Sequence, residues 1–111
     1  MLKRSQVTDV WCFARPQLGI ARAEMALRNA PAAIVILEQT LAVLDRDDPT
    51  SMFLADACFE LAEALAVLGR DEARVKSLAQ RALELYRKVD YLRKDQLAAA
   101  ERFVSQRPPN R

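Results

Sequence analysis

Two stretches of this chain repeat one pattern of small and apolar residues, and the repetition dictates how its core must be built. Ile20-Ala21-Arg22-Ala23-Glu24-Met25-Ala26-Leu27 lines up with Leu61-Ala62-Glu63-Ala64-Leu65-Ala66-Val67-Leu68 at an offset of 41. Leu37-Glu38-Gln39-Thr40-Leu41 lines up with Ala79-Gln80-Arg81-Ala82-Leu83 at an offset of 42. Apolar residues recur at steps of three and four throughout, which is helical spacing. Each unit therefore reads as a helix, a break of two or three residues, and an antiparallel helix. A helical hairpin with one apolar face cannot bury that face alone, so hairpins stack and share a core.

Composition agrees. Alanine and leucine account for 19 and 15 of the 111 residues, and only two residues are glycine. Both abundant types favour helix, whereas tight hairpin turns between strands need positive φ and hence glycine. An all-α fold of about five helices is expected, in one domain spanning residues 1–111.

Punctuation sets the boundaries. Pro16 is read as the first position of the first helix, where a missing N–H costs nothing, and Leu18, Ala21, Met25 and Ala26 follow on one face. Asn29-Ala30-Pro31 stops that helix and starts a second, striped by Ala33, Ile34, Leu37, Leu41 and Leu44. Asp48 is read as the N-cap of a third helix with Pro49 at its first position. That helix runs to Leu68 and is closed by Gly69 in the left-handed conformation. Asp71 and Glu72 open a fourth, with Val75, Leu78, Ala79, Ala82, Leu83 and Tyr86 as its apolar face and Asp90 near its end. A fifth, about 92–106, presents Leu97, Ala100, Phe103 and Val104. The units are thus 16–47 and 48–89, followed by a capping helix within 90–106 and a frayed tail at 107–111. In the segment 1–15, Val7, Val10, Trp11 and Phe13 suggest a short helix that caps an open end.

The two units together resemble, over about residues 14–88, the tetratricopeptide repeat. Ala21 and Ala62 stand where that family wants a small residue at the helix crossing. Gly69 supplies the turn glycine, replaced by Arg28 in the first unit. Ala33 and Thr40 match the small positions of one second helix. In the other, Ala73 and Ala82 are nine apart rather than seven, which places about one inserted residue between them. The family's terminal proline has no match at Asp45. Residues 59–104 look most like the terminal repeats of long bacterial tetratricopeptide proteins, including those appended to signalling kinases. The resemblance implies right-handed superhelical stacking of antiparallel hairpins; an ordinary four- or five-helix bundle is the alternative.

Carried over from the family, the first helix of each unit lines a concave groove. Its candidates are Arg15, Leu18, Arg22 and Met25 from one unit and Asp56, Phe59, Glu60 and Glu63 from the other. Asp56, Glu60 and Glu63 form one acidic stripe, which a solvated helix face explains equally well. Phe59 and Met25 fit a core as readily as a ligand contact. An acidic groove prefers a basic peptide segment. Some members of the family grip a peptide's C-terminal carboxylate with lysine and asparagine; Arg22 and Glu63 stand where the asparagines belong, so that activity is not expected.

The inventory for catalysis is thin. The chain has no histidine, the commonest general base and metal ligand. Glu60 and Glu63 at helical spacing have no acid–base partner in the sequence. Asp45, Asp47 and Asp48 lack the glycine and distal glutamate of a calcium loop. Cys12 and Cys58 have no metal-ligand spacing, and both are read as buried, reduced thiols. No catalytic residue, cofactor or metal is expected.

The formal charge of +2 hides an asymmetry: residues 1–69 carry −3 and residues 70–111 carry +5. A basic half favours an acidic partner surface, or is a helix face laced with salt bridges. Interleaved Asp71, Glu72, Glu84, Asp90 and Asp95 argue against nucleic-acid binding. Charges interrupt every apolar run, so no membrane span is expected. No secretory leader is read at the start, and a cytoplasmic location is the expectation. The functional expectation is a protein-interaction scaffold that binds a peptide or protein partner in the groove. The alternative is a self-associating structural or regulatory unit, a homodimer or the cap of a larger assembly.

Overall fold

The structure, a computed structural model, describes residues 4–48, 51–88 and 94–106, with side chains of the first helix described from Cys12 onward. Five helices follow one another: α1 (Arg4–Ala26), α2 (Ala30–Asp47), α3 (Met52–Val67), α4 (Glu72–Lys88) and α5 (Lys94–Gln106). No strand occurs among the described residues. Each helix packs on its neighbours in the chain, and α1 also packs on α3. That order of contacts belongs to an open stack of antiparallel hairpins; a four-helix bundle would close α1 on α4 instead.

The core is built from the stripes the sequence shows. Ala33, Leu37 and Leu44 of α2 and Val75, Ala79 and Ala82 of α4 are fully buried. Between them α3 is buried almost all round, from Leu54, Ala55, Ala57 and Cys58 to Leu61, Ala62, Ala64 and Leu65, as a helix with neighbours on three sides must be. Ala21 and Ala62, the matched small residues, are both 0% exposed. On the opposite side of the stack two ion pairs, Glu38–Arg74 and Asp45–Arg81, join α2 to α4. The partners run in the same order along both helices, so α2 and α4 lie parallel.

Four details differ from the sequence reading. First, α1 does not start at Pro16 but runs through it from Arg4, so the segment 4–15 is continuous with the first unit rather than a separate cap. An interior proline loses one N–H bond and crowds the carbonyl of Cys12, at a cost of about 3 kcal/mol. Ala14 and Leu18, both buried on either side of it, hold the helix to the core across that weak point. Second, α3 is capped by Ser51, whose Oγ accepts from the Phe53 N–H at 2.9 Å. Asp48 instead closes α2, its N–H donating to the Leu44 carbonyl at 2.7 Å. The hydroxyl lies one residue before the first helical turn, where its oxygen reaches a free N–H.

Third, Ala73 is exposed, and Val75 is the fully buried residue seven before Ala82. No residue is inserted within α4. The extra residue lies in the turn, where three residues (27–29) link α1 to α2 and four (68–71) link α3 to α4. Asp71 absorbs the difference with φ 51, and its carbonyl accepts the first helical bond from the Val75 N–H at 2.9 Å. Fourth, Cys58 is buried but Cys12 is exposed, and both are free. Asp90, Leu92, Pro49 and the tail 107–111 lie outside the described residues.

Both turns close in the same way. In α1 the Arg28 N–H donates to the Met25 carbonyl at 3.0 Å and the Asn29 N–H to the Glu24 carbonyl at 2.8 Å. In α3 the Gly69 N–H donates to the Ala66 carbonyl and the Arg70 N–H to the Leu65 carbonyl, each at 3.0 Å. This paired closure needs a left-handed residue, and Gly69 (φ 64) and Arg28 (φ 61) supply it.

Candidate functional site

The stack leaves a groove along α1 and α3, walled by Tyr86 of α4 and by Gln96 of α5. Two cavities of about 490 and 480 Å³ occupy it. The first is lined by Arg15, Leu18, Arg22, Met52, Phe53 and Asp56 with Gln96. The second is lined by Met25, Phe59, Glu60, Glu63, Val67 and Tyr86, and shares Arg22, Asp56 and Gln96 with the first. All eight groove candidates named from the sequence therefore stand around one depression.

An ion pair divides it. The Arg22 guanidinium reaches across from α1 to Glu60 of α3, donating from Nε at 3.1 Å and from Nη2 at 2.9 Å. Asp56 Oδ2 lies 3.9 Å from the same Nη2. Beneath the pair, the Tyr86 hydroxyl donates to Asp56 Oδ1. The acidic stripe is therefore not a solvated face. The Asp56 side chain is 4% exposed and that of Glu60 14%, while Arg22 remains 58% exposed.

Burial pushes the Glu60 carboxyl up to about 7, although Arg22 pulls it down. Removing a carboxylate from water disfavours its charged form, and here that outweighs a two-pronged guanidinium contact. The hydrogen bonds that Arg22 donates to Glu60 raise the guanidinium above its already high value. Glu63 is raised by burial alone. Arg15 stands at one end of the groove and Glu63 at the other, with the Arg22–Glu60 pair between them.

Phe59 anchors the floor. Its ring meets Tyr86 edge-on at 6.5 Å and Phe103 of α5 edge-on at 5.6 Å. Together with the fully buried Ala100, these contacts fix α5 so that Gln96 faces both cavities. Leu18 and Phe59 are mainly floor, at 2% and 8% exposed; Met25 is half-buried and reaches the groove.

The sequence reading omits Met52, Phe53, Val67, Tyr86 and Gln96. Tyr86 belongs to the apolar stripe of α4, and only its hydroxyl, which needs a partner when buried, hints at more. Gln96 lies outside both repeated units, so no register places it.

Among the described residues no group of His, Cys, Asp or Glu is arranged to hold a metal. The Cys58 thiol is pushed up to about 11 by burial, which keeps it protonated near neutrality. No helix among the described residues is long and apolar enough to cross a membrane. Comparison with known protein families, with curated proteins and with solved structures gives no match.

Proposed function

We propose that the chain is a protein-interaction module, a short helical-repeat scaffold of the tetratricopeptide kind, which binds an extended segment of a partner protein along the α1–α3 groove. The observation that carries this reading is the convergence of all eight groove candidates on two adjoining cavities. Each cavity falls within the ~300–1,000 Å³ usual for ligand pockets. Polar atoms that fix orientation alternate there with apolar side chains, Met25, Met52, Phe53 and Val67, that reward burial.

Among the described residues the groove offers no nucleophile beside a base and no metal cage, and binding is the role assigned to it. A photo-crosslinking amino acid placed at Met25 tests the assignment. It should capture a discrete protein in the native cell, and the same group at exposed Gln39 on α2 should not. Equal capture from both positions, or from neither, would remove the groove as the binding surface. Charge reversal at Arg22, Glu60 and Glu63 should abolish the capture.

A second reading, self-association, is favoured by one comparison. Ile20 on the outer side of α1 is 49% exposed, whereas its counterpart Leu61 is fully buried. Light scattering over a concentration series separates the two; a monomer throughout rules self-association out.

A further inference from the structure

We propose that the Glu63 end of the groove receives a lysine or arginine side chain from the bound segment of the partner protein. The cationic head meets the Glu63 carboxylate, and the methylene stem lies against Met25, Phe59 and Val67. The inference rests on the reading of the groove as a binding surface and narrows what that surface selects.

The charges are already shared out unevenly. One guanidinium, Arg22, faces three carboxylates: Asp56, Glu60 and Glu63. It is spent on Glu60, with two nitrogens engaged, and approaches Asp56. Asp56 also receives the Tyr86 hydroxyl. Glu63 is left: no cation pairs with it among the described residues, yet it is partly buried. A partly buried carboxylate without a counter-ion is costly, and an incoming cation removes the cost.

The lining decides what kind of cation. A hard metal ion collects six or more oxygens, but beside Glu63 stand Met25, Phe59 and Val67, and the Glu60 oxygens are held by Arg22. A long alkyl stem with a charged tip suits such a wall, because its methylenes cover apolar surface while the head keeps polar company. Val67, 69% exposed in the free chain, has apolar surface for the stem to cover. The cavity, about 480 Å³, opens directly to the groove, so the side chain enters from a segment lying along α3.

The test selects random twelve-residue peptides displayed on phage against the full chain. Binding of the selected peptides, made synthetically with a fluorescent label, is then measured by polarisation. The expected result is a lysine or arginine at a fixed position. Its replacement by norleucine should weaken binding to the wild type about tenfold, the range between exposed and buried charge pairs. On Glu63→Gln, whose fold is checked by circular dichroism, the same replacement should change binding less than about twofold. Met25→Arg, which places a resident cation in the cavity, should abolish binding of both peptides.

Peptides that require Met25 but carry no fixed cation, or whose norleucine form binds both proteins as well as the parent, overturn the inference and leave the groove reading standing. Peptides that bind Met25→Arg as well as the wild type, or a selection that returns none, overturn both. A wild type that self-associates through Glu63, losing association in Glu63→Gln, replaces the foreign segment with a second copy and overturns the partner named here.

Discussion

The two hairpins share one plan but occupy different surroundings. In the second, α3 has α1, α2 and α4 packed around it, and Leu54, Cys58, Leu61, Ala64 and Leu65 are buried at 3% or less. In the first, the matching register of α1 holds Phe13, Gln17, Ile20, Ala23 and Glu24, none of which is buried. The sequence has adjusted: two of the five positions are polar in α1, and none is in α3. Ile20 alone keeps a large aliphatic group that is half in water. Equal pattern does not mean equal burial; an end unit of a stack has one face with no neighbour.

The turns show a subtler difference. Both close with the same pair of backbone bonds at nearly the same φ, yet one uses glycine and the other arginine. An L-residue with a Cβ in the left-handed region costs about 1–2 kcal/mol. The first hairpin therefore places this strain at its closing residue, whereas in the second the closing glycine is free of it and the left-handed non-glycine is Asp71 (φ 51), two residues further on. Arg28 is exposed, and no contact of its side chain explains the choice.

The largest contrast should appear in the core. Leu61→Ala is expected to destabilise by about 2–5 kcal/mol, as buried leucine deletions do, and Ile20→Ala by less than about 1 kcal/mol. Urea unfolding with an unchanged m-value would measure both. Equal losses at the two positions would mean that α1 is covered in solution, and would revive self-association.

Next comes the ion pair that ties the hairpins together. The Glu60 carboxyl stands at about 7 in the folded chain against 4.5 for an unperturbed glutamate, so the folded state binds the proton more tightly than the unfolded one. Stability should therefore fall as pH rises from about 4.5 through 7, by up to about 3 kcal/mol. Glu63, also raised, acts in the same direction. Glu38, Asp45 and Asp47 are lowered by their arginine partners. Their contribution is present above the unperturbed carboxylate values and is lost only as pH drops below them, outside this window. Glu60→Gln should flatten the slope between pH 5 and 7 in thermal melts; an unchanged slope would show that Glu60 is ionised throughout.

The turn variants follow. Gly69→Ala should cost about 1–2 kcal/mol from backbone strain alone, since an added Cβ meets nothing within 4 Å. Arg28→Gly should raise stability by about 0.5–1 kcal/mol, because relief of the strain is partly offset by the entropy glycine adds to the unfolded chain. A loss on Arg28→Gly would mean that its side chain does something in solution that the structure does not show.

Much of the site could be read in the sequence because the family resemblance implies that the first helix of each unit faces a groove, and helical register then puts Arg15, Leu18, Arg22 and Met25 on one side of α1. The same register puts Asp56, Phe59, Glu60 and Glu63 on one side of α3. Which carboxylate pairs, and which is left over, could not be read that way. That depends on the lateral distance between α1 and α3, which lets Arg22 reach Glu60 and leaves Glu63 alone. Tyr86 and Gln96 enter from α4 and α5, so no pattern within a single helix marks them.

By itself the sequence determined the five helices, their apolar stripes, the two small crossing residues and the glycine that closes α3. All of these are local, because propensity and periodicity act within a few turns. The tertiary structure decided what depends on neighbours. It carried α1 through Pro16, because Ala14 and Leu18 are clamped in the core, and it buried Val75, seven residues before Ala82, while leaving Ala73 exposed. It also forced Arg28 into a left-handed turn and buried an acidic stripe under a single arginine. In each case the energy of packing exceeds the local preference it overrides.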